Sequence, residues 1–264
     1  MATGIGVGIS SVFETTVGTP VPAFSNLYSL NFNDGSTGEY MRMHNNAVYT
    51  PTGPWSTSFW YKGTTLNSML ITKVVSGGYE FLISVAKTTG YFRAQFYGGG
   101  VAVVYQTLFA DGAGSIADGD WHHLVCTFNG GVPAGANVPA LYVDGVPYTD
   151  ALGNATYSVT GSWSTPVNNS TYLNVATIDQ VHGSVCHLDE ISMWDVELTP
   201  GEVVSIYNGG SPTDLTGSTG LTGWWRNGDP LGTASFSTIV DHSPTGIDGE
   251  MVHMVAGDIV TDVP

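Results

Sequence analysis

Short runs rich in aromatic and β-branched residues recur from Leu27 onward, at Leu27–Phe32, Phe59–Tyr61, Leu70–Val75, Tyr79–Val85, Tyr91–Tyr97 and Val101–Phe109. Each is bounded by turn-forming residues, the pattern of strands. The turns themselves are specific. Asp34-Gly35, Asp118-Gly119, Asn129-Gly130, Asp144-Gly145 and Asn227-Gly228 are pairs that accept positive φ and suit tight hairpins, so neighbouring strands are expected to run antiparallel. The clearest case is Leu141-Tyr142-Val143, then Asp144-Gly145, then Val146-Pro147-Tyr148, where Pro147 favours an edge or a strand end.

One helix is well signalled. Thr199-Pro200-Gly201-Glu202 places a capping Thr, a Pro at the first helical position and a Glu that completes a capping box. Val203, Val204, Ile206 and Tyr207 supply an apolar face, and Asn208-Gly209-Gly210 with Pro212 ends it. A helix of two to three turns needs a sheet to dock on. Residues 1–25, small and interrupted by Pro20 and Pro22, lack either periodicity and read as an N-terminal arm. Residues 213–264 read as a C-terminal β extension, with strand-like runs at Thr222–Arg226 and Phe236–Val240.

Composition sharpens this picture. There are 35 Gly and 13 Pro, while charged residues are only 11% of the chain, less than half the roughly 25% of ordinary domains. With 42% apolar residues, including seven Trp, thirteen Tyr and ten Phe, a packed core is expected rather than disorder. Six Lys and Arg against 22 Asp and Glu give a net charge of −16, which disfavours nucleic acid as a partner because phosphate contacts need clustered cations. No apolar run approaches the roughly 18 residues of a membrane span, and no basic n-region marks a secretory signal. Cys126 and Cys186 lie in separate strand-like runs, where buried free thiols are favoured over a disulfide.

Three segments resemble the laminin-G-like, concanavalin-A-like jelly-roll domains. They are Tyr28–Gly35 with Glu39–Met43 and the strand Trp55-Ser-Thr-Ser-Phe-Trp-Tyr-Lys62; Asp118-Gly-Asp-Trp-His-His-Leu-Val-Cys-Thr-Phe-Asn-Gly130 with Leu141-Tyr-Val-Asp-Gly145; and His187-Leu-Asp-Glu-Ile-Ser-Met-Trp194 running on to Tyr207. The resemblance covers residues 26–212 and implies an all-β fold, an antiparallel two-sheet sandwich with one short peripheral helix. Asp241–Met251 is similar to a segment that precedes the first strand in many relatives. The C-terminal extension also resembles those of tailed-phage structural proteins and bacterial surface proteins.

Several constellations invite chemistry. Relatives on this architecture include glycosidases, which need two carboxyls on one face of a strand. Here Glu190 is followed two positions later by Ser192, and Asp195 with Glu197 precedes the helix cap, so no catalytic residues are assigned. His122 and His123 are adjacent and would point to opposite faces of a strand, one as a satisfied core histidine and one on the outer face. No Gly-x-Ser-x-Gly elbow is present. Relatives often hold Ca2+, for which Asp111, Asp118 and Asp120 are the candidate ligands. No cofactor is required. For carbohydrate, Tyr157, Trp163 and Tyr172 in a Ser/Thr/Asn-rich region are candidate platforms, against the plainer role of core and hairpin packing.

The sequence thus gives two expectations. The first is a virion structural protein of a tailed bacteriophage, a capsid decoration, cement or fibre-associated subunit at the virion surface. It would be anchored through Val12, Phe13, Val17 and Val21 of the arm, would assemble with other virion proteins as a homo-oligomer, trimer favoured, and would contact host glycans. The alternative is a bacterial surface lectin, a carbohydrate-binding adhesion module; a glycoside hydrolase is the least favoured.

Overall fold

A computed structural model describes residues 24–33, 35, 38–75, 78–98, 104–107, 114–130, 139–149, 157–159, 166–227 and 236–264. In chain order the strands begin with β1 (Ser29–Phe32), β2 (Tyr40–Met43), β3 (Trp55–Lys62), β4 (Met69–Val75), β5 (Gly78–Val85) and β6 (Phe92–Tyr97). They continue with β7 (Val104–Thr107), β8 (Trp121–Phe128), β9 (Ala140–Val143), β10 (Val146–Pro147), β11 (Tyr157–Val159), β12 (Leu173–Val175) and β13 (Cys186–Trp194). Helix α1 (Pro200–Tyr207) follows, and then β14 (Leu221–Trp225), β15 (Thr238–Ile239), β16 (Gly249–Val252) and β17 (Ile259–Val260).

These strands form two antiparallel sheets, as expected. One has eight strands in the order β10-β9-β8-β3-β13-β1-β17, with β14 branching from β13; the other has nine, β11-β7-β6-β5-β4-β12-β2-β16-β15. The branch arises at a register shift between Asp189 and Ser192. N-terminal to the shift β13 pairs with β1, and beyond it with β14.

Alternation sets which side chains meet between the sheets. Leu124, Cys126 and Phe128 of β8 and Ile191 and Met193 of β13 face Ile71 of β4, Phe81 and Ile83 of β5 and Phe92, Ala94 and Phe96 of β6, all buried in one core. Cys126 and Cys186 are both buried free thiols, which burial pushes up in pKa. The Asp144-Gly145 hairpin forms between β9 and β10, with φ of 52° and 76° at its two residues, and Pro147 lies on the edge strand.

The C-terminal stretch is woven into the sandwich. β16 pairs with β2 and β17 with β1, while Trp225, Ile239, Met251 and Met254 enter the main core. Residues 1–23, which contain Val12, Phe13, Val17 and Val21, lie outside the described residues.

Candidate functional site

The two outer faces differ in what covers them. On the eight-stranded sheet, Val125, Tyr142, Trp194 and Trp224 pack with Leu198, Val203, Leu215 and Leu221 in a second apolar cluster. Helix α1 closes over it. Its cap is built as the sequence foretold, with Thr199 accepting from Glu202 N while the Glu202 carboxylate accepts from Thr199 N. At its C-terminal end Tyr207 stacks on Trp60 and His123, with ring centroids 5.9 Å apart in each case. This face therefore carries an added layer of structure. A cleft of about 260 Å³ opens at its margin between α1 and residues 213–219, over Trp194.

The outer face of the nine-stranded sheet is partly open. The register places His44 beside Tyr172, Val74 beside Tyr79, and Arg42 beside Glu250 and Asn174. Tyr79 is 39% exposed, and its ring centroid lies 5.0 Å from that of Tyr97. The Arg42 guanidinium sits 4.6 Å over the Tyr172 ring while its Nε donates to Glu250 at 2.8 Å. That hydrogen bond, with the carboxylate charge, raises the Arg42 pKa. His44 touches the same tyrosine, centroids 5.2 Å apart. From Tyr172 to Tyr97 the ledge crosses β12, β4, β5 and β6, three strand spacings or roughly 14 Å. Residues 177–184 wall one side of it, because Thr72 donates to the Thr177 carbonyl at 2.7 Å and Gln180 to Asn174 at 3.0 Å.

Beneath the ledge lies a fully buried ion pair. Lys73 Nζ meets both Glu80 carboxylate oxygens at 2.8 and 2.9 Å, and both side chains have 0% exposure. Lys73 also donates to Thr50 and to Asn168, and Glu80 accepts from Thr50 Oγ1 and Asn169 N. Burial lowers the lysine pKa, against the pull of Glu80. Because Asn169 also donates to the Gly78 carbonyl, this network holds the chain just ahead of Tyr172, which leads into β12.

Of the three aromatics expected to bind carbohydrate, Tyr172 is on this ledge. Trp163 lies outside the described residues, and Tyr157 is placed only by its backbone, in β11 opposite Thr107. Tyr79, Tyr97 and Arg42 were not anticipated. The signal that could have found Tyr97 is the alternation of Phe92, Ala94 and Phe96, all buried, with Arg93, Gln95 and Tyr97, all half-buried.

Of the residues expected around Ca2+, Asp118 has other partners. Asp111 lies outside the described residues. Asp118 accepts from Asp120 N at 3.0 Å and faces His122 Nε2 with both oxygens at 3.2 Å. His122 Nδ1 meets Asp144 at 2.8 Å, so the imidazole joins two aspartates, and the Asp144 hydrogen bond leads the causes that raise its pKa. Asp118 and Asp120 do not by themselves make a fit for the ion. Among the described residues no three His, Cys, Asp or Glu side chains converge to hold a metal.

His123 is fully buried on the outer face of the eight-stranded sheet, bonded to Ser58 Oγ at 2.7 Å; burial pushes its pKa down to about 3. The acidic residues of β13 are likewise engaged. Asp189 accepts from Asn26, and Glu190 from the Trp224 indole at 2.6 Å and Arg226 at 3.1 Å. Asp195 and Glu197 are exposed just ahead of α1.

Residues 34–204 match the concanavalin A-like lectin/glucanases superfamily. No curated protein matches the chain. Among solved structures, a Bacteroides ovatus protein to which carbohydrate binding is provisionally ascribed is similar at 15% identity and a TM-score of 0.57, over 86% of this chain and 58% of that one. The chain thus spans little more than half of that relative's length. The SAP-like pentraxin of Limulus polyphemus is similar at 12% identity and TM-score 0.47, over 69% of this chain and 82% of its own. Domain 4 of the extracellular arabinanase AbnA of Geobacillus stearothermophilus, solved with arabinotriose, is similar at 15% identity and TM-score 0.46, over 64% and 72%. At such identities the likeness is one of fold.

Proposed function

The chain belongs to the concanavalin A-like lectin/glucanase superfamily, and on that premise we propose that it is a non-catalytic carbohydrate-binding adhesion module whose glycan lies on the outer face of the nine-stranded sheet. The observation that carries this reading is the Tyr79–Tyr97 ring pair, with Tyr79 exposed and Tyr97 half-buried on the outer sheet face, level with Tyr172 under Arg42. Sugar rings present C–H faces that pack on aromatic rings, and their hydroxyls exchange hydrogen bonds with amide and guanidinium groups. The buried Lys73–Glu80 network holds one end of the ledge before any ligand arrives, which lowers the ordering cost of binding.

The comparisons favour this reading over virion display. Capsid decoration, trimerisation through the arm and Ca2+ dependence rest on the sequence, and light scattering of the full chain beside a chain lacking residues 1–25, with and without Ca2+, tests the last two.

For the ledge itself, oligosaccharides of stated composition are titrated into the full chain by calorimetry. Replacing Tyr79 or Tyr97 with Ala is expected to weaken binding by about 3- to 10-fold, the worth of one aromatic contact, with the melting temperature held. Saccharide binding unaffected by either change would place the site elsewhere. Absence of any saccharide binding at millimolar concentration would refute the reading.

A further inference from the structure

The chain has six Lys and Arg residues in all. Four are paired with carboxylates: Arg42 with Glu250, Lys62 with Asp262, Lys73 with Glu80 and Arg226 with Glu190. Among the described residues, the two with no carboxylate partner, Lys87 and Arg93, both lie on the β5–β6 hairpin. In a molecule with a net charge of −16, carboxylates are abundant, and a half-buried arginine paired with none of them among the described residues is an exception.

Arg93 lies opposite Ser84 in the register, and its Nε donates to Ser84 Oγ at 3.1 Å. That bond orients the guanidinium, and neither Nη group has a partner among the described residues. Burial lowers its pKa, and the titratable side chain that acts on it is the Tyr97 phenol rather than a carboxylate. Arg93, Gln95 and Tyr97 share the outer face of β6, so the Arg93 backbone stands four residues, roughly 13 Å, along the strand from that of the tyrosine that begins the aromatic ledge.

From this placement we infer that the ledge selects a saccharide bearing a carboxylate, with its sugar ring on Tyr79 and Tyr97 and its carboxylate on the free edge of Arg93. The inference rests on the carbohydrate-binding reading of the same face. A planar guanidinium whose two Nη donors have no partner among the described residues matches a carboxylate with two parallel hydrogen bonds, a geometry that a neutral hydroxyl does not reproduce. Lys87, exposed in the turn at the same end of the hairpin, adds positive charge along the approach. Without such local charge, the net field of the chain would repel an anionic ligand.

The test compares trigalacturonate with its methyl esters, which keep the sugar rings and remove the charge, by calorimetry on the full chain. 3′-Sialyllactose against lactose repeats the comparison for the other common source of a sugar carboxylate. The acid is expected to bind at least about tenfold more tightly than its neutral counterpart, with the gap narrowing at high salt. Arg93→Gln should abolish the preference, and Arg93→Lys, which keeps the charge and loses the fork, should reduce it. The wild-type comparison of acid with ester needs no variant, so it decides the matter even where Arg93→Gln fails to fold. Equal affinity for acid and ester in both pairs, or a preference that survives Arg93→Gln in a folded protein, would overturn the inference while leaving the ledge as a neutral-glycan site. Failure of every saccharide, charged and neutral, would overturn the carbohydrate-binding reading and this inference with it.

Discussion

Lys73 and Glu80 are the pair on which the ledge's shape depends most directly. Both are fully buried, and their donors and acceptors are shared with Thr50, Asn168 and Asn169. Removing one partner leaves an uncompensated charge, so Lys73→Met is expected to cost about 3–5 kcal/mol in chemical denaturation, with Lys73→Met/Glu80→Gln costing less. A loss below about 1 kcal/mol for the single change would show the pair to be dispensable. The two adjacent histidines predict opposite responses to pH. His122 has a raised pKa because Asp144 and Asp118 hold its charged form. Its contribution is therefore complete below its ordinary pKa near 6.5 and is lost as pH rises through the higher folded value. His123 has its pKa pushed down to about 3 by burial, so its contribution is present above about 6.5 and is lost as pH falls toward 3. His122→Gln should accordingly lower stability on the acid side of neutrality and leave it unchanged at alkaline pH, as read from melting temperatures across that range. The adjacency of the histidines and their opposite faces were legible in the chain. Which of them would be charged was not, because that depends on Asp144 reaching back from a hairpin 22 residues away.

At the scale of elements, the sequence was most informative wherever the signal was local. Helix α1 begins at Pro200 behind its Thr199 capping box and ends on Asn208 in the left-handed conformation, as the residue types require. Thr199→Ala removes the hydroxyl that caps Glu202 N and is expected to cost about 1 kcal/mol, seen as a lower denaturation midpoint with an unchanged slope. The site was less legible for a physical reason. Tyr172 was chosen for the polar residues around it, whereas the tyrosines that touch on the ledge, Tyr79 and Tyr97, lie on two strands whose pairing brings them together. Tyr79 opens a run that local pattern reads only as strand. A shift at Lys73–Val74 in the β4–β5 pairing lets Glu80 turn inward to the lysine while Tyr79 stays on the outer face, and nothing in the composition of the run announces that bulge.

Across the whole molecule, residues 213–264, read from the sequence as a β extension, supply strands to both sheets. The family match ends at residue 204, yet the strands beyond it fill places beside β1 and β2. Asp262 binds Lys62 at 2.8 Å and the Trp121 indole at 3.0 Å, and its carbonyl accepts from Ser29 Oγ. Deleting residues 259–264 should uncover the β1 edge, lowering the melting temperature and promoting association measurable by light scattering; an unchanged melt would mean that β17 is ornamental. The same weave has a consequence during synthesis. Asn26 finds Asp189 only 163 residues later, and Ser29 finds Asp262 only after 233. A ribosome therefore releases β1 and β2 long before any of their partners exist, and the nascent chain must carry them unpaired until β12 and β13 follow. Sequence-adjacent pairs such as β4–β5, β5–β6 and β8–β9 can form early, but β1 and β2 gain their neighbours only through slow, non-local closure, in which protection of the first strands, rather than the speed of hairpin formation, would set the yield of native protein.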